Sequence, residues 1–238
     1  MEHWLLLGIV VLIASTLQAG TGFGFSIVAV PLFLFIYPIY TAVQLNVILS
    51  LLLSGFMILR IAKEVDKVLL KRLVQSSTFG LPIGMVVYLF LAKDGFKAVV
   101  GVFILFLAVA LLFRLKVRQT KKRDNITGAL SGGLTTSIGV PGPPLLIYFT
   151  STETGKEVLR STTLAYYLFV YFISLVLQVS LGGTGGKVWV LSLIAVPFLF
   201  AGAVLGQFLF QRISLKMFRV ITYIILIFSG LNLLLTGF

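Results

Sequence analysis

The 238-residue chain has no cysteine, one histidine (His3) and only seven acidic residues. Without cysteine there is no disulfide and no thiolate metal site, and a lone histidine at the chain start cannot build a metal centre. The acidic residues are Glu2, Glu64, Asp66, Asp94, Asp124, Glu153 and Glu157, and all fall outside the long apolar runs. No carboxylate is therefore expected at mid-membrane depth to hold a cation or relay a proton, which disfavours a cation carrier and a hydrolase built on paired carboxylates. Serines are plentiful, but no histidine or lysine inside an apolar run could serve as their base, which disfavours an intramembrane serine protease. The expectation is a protein that is not an enzyme and that uses no metal or cofactor.

What the chain has in abundance is apolar surface. Hydrophobic residues make up 59% of it and charged residues 11%, with a mean hydropathy of +1.11, a composition that suits lipid as the solvent. A helix crossing the hydrocarbon core needs about 20 mostly apolar residues. Residues 41–59, 73–92, 98–113, 164–181, 188–210 and 220–238 approach or meet that length without an internal charge. Lys97 and Arg114 flank the shortest run and are placed to snorkel. Two more apolar regions, 5–37 and 126–149, are broken by glycine, proline and hydroxyl residues rather than by charge. Residues 1–3 contain no lysine or arginine, so the first run reads as retained structure and not as a cleaved signal.

The net charge is +12. Its basic residues lie mainly in short segments between the apolar runs, a pattern of topology signals and contact with anionic headgroups rather than of nucleic-acid binding. If both broken regions span, the basic residues divide 12 against 7 between the two faces; if both are re-entrant hairpins, they divide 16 against 3. The second division favours hairpins, with 60–72, 114–123, 156–160 and 212–219 in the cytoplasm and both termini outside.

The halves also echo each other. An offset of 113 pairs Gly20 with Gly133, Pro31 with Pro144, and residues 32–35 with 145–148; an offset of 122 pairs Gly80 with Gly202, Gly84 with Gly206, and Phe96-Lys97 with Phe218-Arg219. Allowing for a longer 151–157 loop sets Gln44 opposite Arg160 and Asn46 opposite Thr162. The fold class expected is an all-α integral membrane protein of two inverted repeats, each a glycine-rich broken or re-entrant helix pair plus three transmembrane helices. Residues 1–114 form the first repeat, 115–125 a basic cytoplasmic linker, and 126–238 the second repeat. Repeats of this kind place a substrate site at their interface. Gly80, Gly84, Gly202 and Gly206 read as close helix packing.

The breaks hold the residues suited to chemistry. The first runs from Gln18 through Gly20, Thr21, Gly22 and Gly24 to Ser26; the second includes Gly133, Thr135, Thr136, Ser137, Gly139 and Gly142, with Pro141, Pro143 and Pro144. Glycine lets an anion approach the main chain, and a half-helix amino end presents free N–H groups with partial positive charge. The hydroxyls can donate further hydrogen bonds without a buried charge. Arg160, opening a spanning helix, is the candidate fixed cation, with a planar fork that matches oxyanions; Gln44, Asn46 and Thr162 are candidates to supplement it. Topology alone could also explain Arg160, and helix packing alone could explain the glycines.

In these two breaks, in Arg-Ser-Thr-Thr at 160–163, and in the glycine pairs followed by Phe-Lys and Phe-Arg, the chain resembles the TauE/SafE sulfite exporter family, also called toluene sulfonate uptake permeases. The resemblance runs along almost the whole chain. It implies a multi-pass permease of the prokaryotic inner membrane for small sulfur-containing anions such as sulfite, thiosulfate, sulfoacetate or other organosulfonates, working by alternating access. The proline-rich second break departs from the family's more glycine-rich run. An anion channel, a carrier of another small carboxylate or oxyanion, and a scaffold remain rival readings. The expected partners are the small anion and anionic lipid, with no nucleic acid; a homodimer is compatible with the sequence.

Overall fold

The computed structural model describes residues 2–90, 119–151 and 155–209, together with the isolated positions Val102, Leu105, Val109 and Ile227. The expected runs 98–113 and 220–238, and the landmarks Phe96, Lys97, Phe218 and Arg219, lie outside the described residues. Every regular element among those described is helical: α1 (Glu2–Thr21), α2 (Phe25–Ile36), α3 (Ile39–Ile61), α4 (Lys67–Leu89), α5 (Lys121–Ile138), α6 (Gly142–Ser151), α7 (Lys156–Leu177) and α8 (Gly186–Leu209). Among the described residues four helical stretches, 4–21, 39–64, 157–182 and 186–209, are long and apolar enough to cross a membrane. Their outward faces are apolar too: Leu59, Phe79, Leu193 and Phe208 are each more than 70% exposed, as suits helices solvated by lipid.

Helices α4 and α7 begin well before the apolar runs that announce them. Asp66 caps α4 by accepting from the N–H groups of Val68 and Leu69, both at 2.9 Å, so the charged turn from Lys67 to Arg72 is already helical. In α7 the helix starts at Lys156, and Arg160 sits inside it, not in a loop. Residues 121–125, expected in the linker, form the first turns of α5 behind a Thr120 cap.

Helix α3 runs antiparallel to α7: Gln44, near the start of α3, donates to the Gly183 carbonyl beyond α7 (2.6 Å), whereas the Asp66 N–H, beyond α3, donates to Thr162 near the start of α7 (2.9 Å). Both broken regions fold back on themselves. Helix α5 lies parallel to α4, with Gly80 against the Ala129 carbonyl and Gly84 against that of Gly133. The chain then reverses, so that Tyr148, late in α6, donates to Asp124, early in α5. Likewise α1 lies parallel to α8, with Gly202 against the Leu12 carbonyl and Gly206 against that of Thr16, and α2 returns to meet the start of α3. A Cβ at Gly80, Gly84 or Gly206 would overlap backbone atoms of the neighbouring helix, which is why these positions need glycine.

These contacts correct the register of the internal echo. Leu12 stands to Gly202 as Ala129 stands to Gly80, and Thr16 to Gly206 as Gly133 to Gly84. The offset across the breaks is thus 117, one helical turn beyond the 113 that glycine and proline matching suggests. Proline misleads because Pro31 lies within α2 whereas Pro144 is in the first turn of α6, where the missing N–H costs nothing.

Candidate functional site

The first break spans Gly22-Phe23-Gly24, with Gly22 at φ +83° and Gly24 at φ +112°, conformations open to glycine alone at little cost. Gln18 staples the turn: its Oε1 accepts from the Phe25 N–H (3.3 Å) and its Nε2 reaches Ser54 on α3 (3.5 Å). Thr21 closes the turn, donating to the carbonyls of Leu17 and Phe23 (2.7 and 2.8 Å) and accepting from the Phe23 N–H (3.2 Å). The tip then packs against α7. A Cβ on Gly22 would stand 2.8 Å from the Arg160 Cα, and Arg160 is only 7% exposed.

The second break turns at Gly139 (φ +76°), whose N–H donates to the Thr135 carbonyl at 2.9 Å to end α5. Its tip packs against α3: Asn46 Nδ2 donates to the Gly139 carbonyl at 2.7 Å. Each hairpin tip thus rests on the long helix that belongs to the other half of the chain. The tips lie toward opposite ends of the α3–α7 pair. Gly22 is at Arg160, while Gln178, reached through a π-helical turn, donates to the Thr136 carbonyl beside the second tip (2.8 Å). Eighteen residues separate Arg160 from Gln178, roughly 27 Å of rise, and the two breaks approach each other between these contacts, where a Cβ on Gly142 would stand 2.9 Å from the Ile27 side chain.

The structure sorts the candidate residues accordingly. Gly22 and Arg160 come together, as do Gly139 and Asn46. Gly20 and Gly133 serve packing, against α8 and α4 respectively. Thr135 and Ser137 donate to carbonyls one turn back on their own helix, and Thr136 shares a 2.8 Å bond with Ser174 on α7. Thr162 holds the loop before α4, and Gln44 holds the loop before α8. Gly142 opens α6 beside Ile27 and Tyr167. Ser26 is buried, and its hydroxyl has no hydrogen-bond partner.

Five residues that were not among the candidates share that property, Tyr37 at the end of α2 being one. Ser50, Thr163, Tyr167 and Tyr171 are fully buried, with hydroxyls that have no hydrogen-bond partner. The signal was present: Thr163, Tyr167 and Tyr171 recur every four residues and continue the face of α7 that begins at Arg160. Sequence reasoning also left Asp124 among the solvated charges. It is completely buried, ion-paired at 2.9 Å to Arg72 of α4 and bonded to Tyr148 of α6. Among the described residues no group of histidine, cysteine and carboxylate side chains could hold a metal.

The family model described as Sulfite exporter TauE/SafE matches residues 7–233. The chain belongs to the TauE/SafE family. No curated protein and no solved structure matches it. The match covers both hairpins, α3 and α7, so every residue of the two tip contacts lies within the TauE/SafE region. The chain is a multi-pass membrane protein of a family described as sulfite exporters.

Proposed function

We propose that this protein is a carrier that moves small sulfur-containing anions, such as sulfite, thiosulfate or an organosulfonate, across the prokaryotic inner membrane by alternating access. One observation carries the reading: Arg160, a cation on a membrane-spanning helix, is buried against the glycine tip of the first hairpin, in a chain of the TauE/SafE family. A buried arginine in lipid-solvated protein is costly and marks an ion path by default. The matching contacts of α1 with α8 and α4 with α5 support two inverted repeats, 1–114 and 126–238, whose rocking exchanges access from one face to the other. The 16-to-3 division of basic residues supports placing the α3–α4 turn in the cytoplasm and both termini outside.

The test is flux of labelled sulfite, thiosulfate and a small organosulfonate into proteoliposomes. Saturable uptake that is accelerated by unlabelled anion on the far side supports a carrier; flux without counterflow supports a channel instead. Arg160→Ala should abolish uptake and Lys156→Ala, one turn earlier on α7, should not. Equal effects would remove Arg160 from the path, and no flux of any of the three anions would overturn the substrate class.

A further inference from the structure

Buried hydroxyls almost always find a partner, because leaving one unpaired away from water is costly. In this protein most do: Ser15, Thr21, Ser76, Thr135, Ser137 and Ser192 all donate to carbonyls of their own helices. Against that background six buried hydroxyls lack a partner: that of Tyr37 at the end of α2, and five more carried by α2, α3 and α7. Tyr171 of α7 faces Ser26 of α2 and Ser50 of α3, and the three hydroxyls have no partner outside this group. The Tyr167 and Tyr171 rings are 5.5 Å apart. The Tyr167 hydroxyl is 3.1 Å from where a Cβ on Gly142 would be, at the start of α6. Thr163 precedes Tyr167 by four residues on the same face of α7, and Arg160 precedes Thr163 by three.

We propose that Ser26, Ser50, Thr163, Tyr167 and Tyr171 form an anion site of neutral hydroxyls where α2, α3 and α7 meet, selective for a small, singly charged oxyanion. This inference deepens the carrier reading and rests on it for the direction of travel only. Hydroxyls can orient their protons toward a common oxygen-rich guest, and as donors they meet several oxygens of a small oxyanion at once. Because each can also accept, they tolerate a guest that keeps a proton of its own, such as hydrogensulfite. No side chain of the five carries a charge, and the cost of taking an ion out of water rises with the square of its charge, so one negative charge is accommodated far more readily than two. The polar face of α7 then places this site beyond Arg160, between the first tip and the second. A side chain at 142 would crowd the Tyr167 hydroxyl.

The experiment measures binding of methanesulfonate, nitrate and thiosulfate to the purified full-length protein in detergent, by calorimetry and by thermal stabilisation, for wild type, Tyr167→Phe and Tyr171→Phe. Each substitution removes one oxygen and keeps the ring. Without anion, both variants should be as stable as wild type or more so, since an unpaired buried hydroxyl is lost. With methanesulfonate or nitrate, the Kd should rise about tenfold in each variant, the loss of one hydrogen bond to a charged group. Thiosulfate, a dianion, should bind at least tenfold more weakly than methanesulfonate to the wild type. Unchanged affinity in both variants, or binding of none of the three anions, would mean that the hydroxyls hold water only and would overturn the site. Thiosulfate binding as tightly as methanesulfonate would overturn the charge selectivity. Tyrosine-dependent binding in a protein that moves no sulfur anion would leave the site standing and remove the carrier reading. Saturable sulfur-anion flux with unaltered variants would do the reverse.

Discussion

Gly22 lies against the main chain of Arg160: a Cβ placed on Gly22 would be 2.8 Å from the Arg160 Cα and 3.1 Å from its Cγ. The contact joins the tip of the first hairpin to the helix that bears the buried cation, and it is available only to a residue without a side chain. Gly22→Ala should therefore act twice. It places a side chain at φ +83°, and it pushes α7 away from the tip. A loss of at least about 2 kcal/mol in stability is expected from the left-handed backbone and the overlap together. Gly155→Ala, where an added Cβ has open space, is the control and should be close to neutral. Thermal unfolding of both variants in detergent, with anion flux alongside, tests the contact; a fully active Gly22→Ala would show that the tip does not need it.

How far the fold could be read from sequence depended on which physical force set each feature. Lipid demands long apolar runs, so 41–59 and 188–210 fall within two residues of α3 and α8 at their ends. The amino ends of α4 and α7 were hidden because their first turns carry charge while remaining helical, and apolar patterning does not register a capped, charged turn. The two breaks were legible from glycine. Their register was not, since glycine recurring near one-turn intervals permits an alignment four residues out. Within the candidate site the sequence names the right helices but cannot tell which hydroxyls are already spent. Thr135 and Ser137 looked as free as Ser26, yet both donate to their own helix, while Tyr167 and Tyr171 were not among the candidates.

The clamp on the second hairpin is open to a direct energetic test. Asp124 has no exposure and is shared by Arg72 of α4 and Tyr148 of α6, so it ties both arms of the hairpin to its neighbour. Arg72→Ala leaves that carboxylate buried without its cation. Arg72 is itself about one third exposed, which screens the pair, so a loss of about 1–3 kcal/mol is expected rather than the larger cost of a fully buried pair. Adding Asp124→Asn should recover part of it. A double-mutant cycle by chemical denaturation measures the coupling, and strict additivity would mean that the two groups do not depend on each other.

At the other tip, Asn46 donates a side-chain hydrogen bond to the Gly139 carbonyl at 2.7 Å and has no exposure to solvent. Asn46→Ala should cost about 1–3 kcal/mol, because the carbonyl is left buried and unsatisfied. Asn46→Asp should be worse than alanine: it removes the donor and turns a carboxylate toward a carbonyl oxygen. If the two variants are equally stable, the bond is not what seats the tip.

Membrane orientation can be tested in this chain without preparing a background, because it has no cysteine of its own. Glu64, just after α3, and Gly185, just before α8, are both exposed, and a Cβ at Gly185 meets nothing within 4 Å. They lie toward opposite ends of the α3–α7 pair, since Asp66 is tied to the start of α7 and Gly183 to the start of α3. Glu64→Cys and Gly185→Cys, made one at a time, should each react with a membrane-impermeant maleimide from one side only, and from opposite sides. The proposed topology puts Glu64, among basic residues, in the cytoplasm, so intact cells should label Gly185→Cys and spare Glu64→Cys until the membrane is opened. The reverse pattern would keep the fold and invert the assignment. Labelling of both in intact cells would mean that α3 and α7 do not cross the bilayer, and with them would go the path from Arg160 to the second tip.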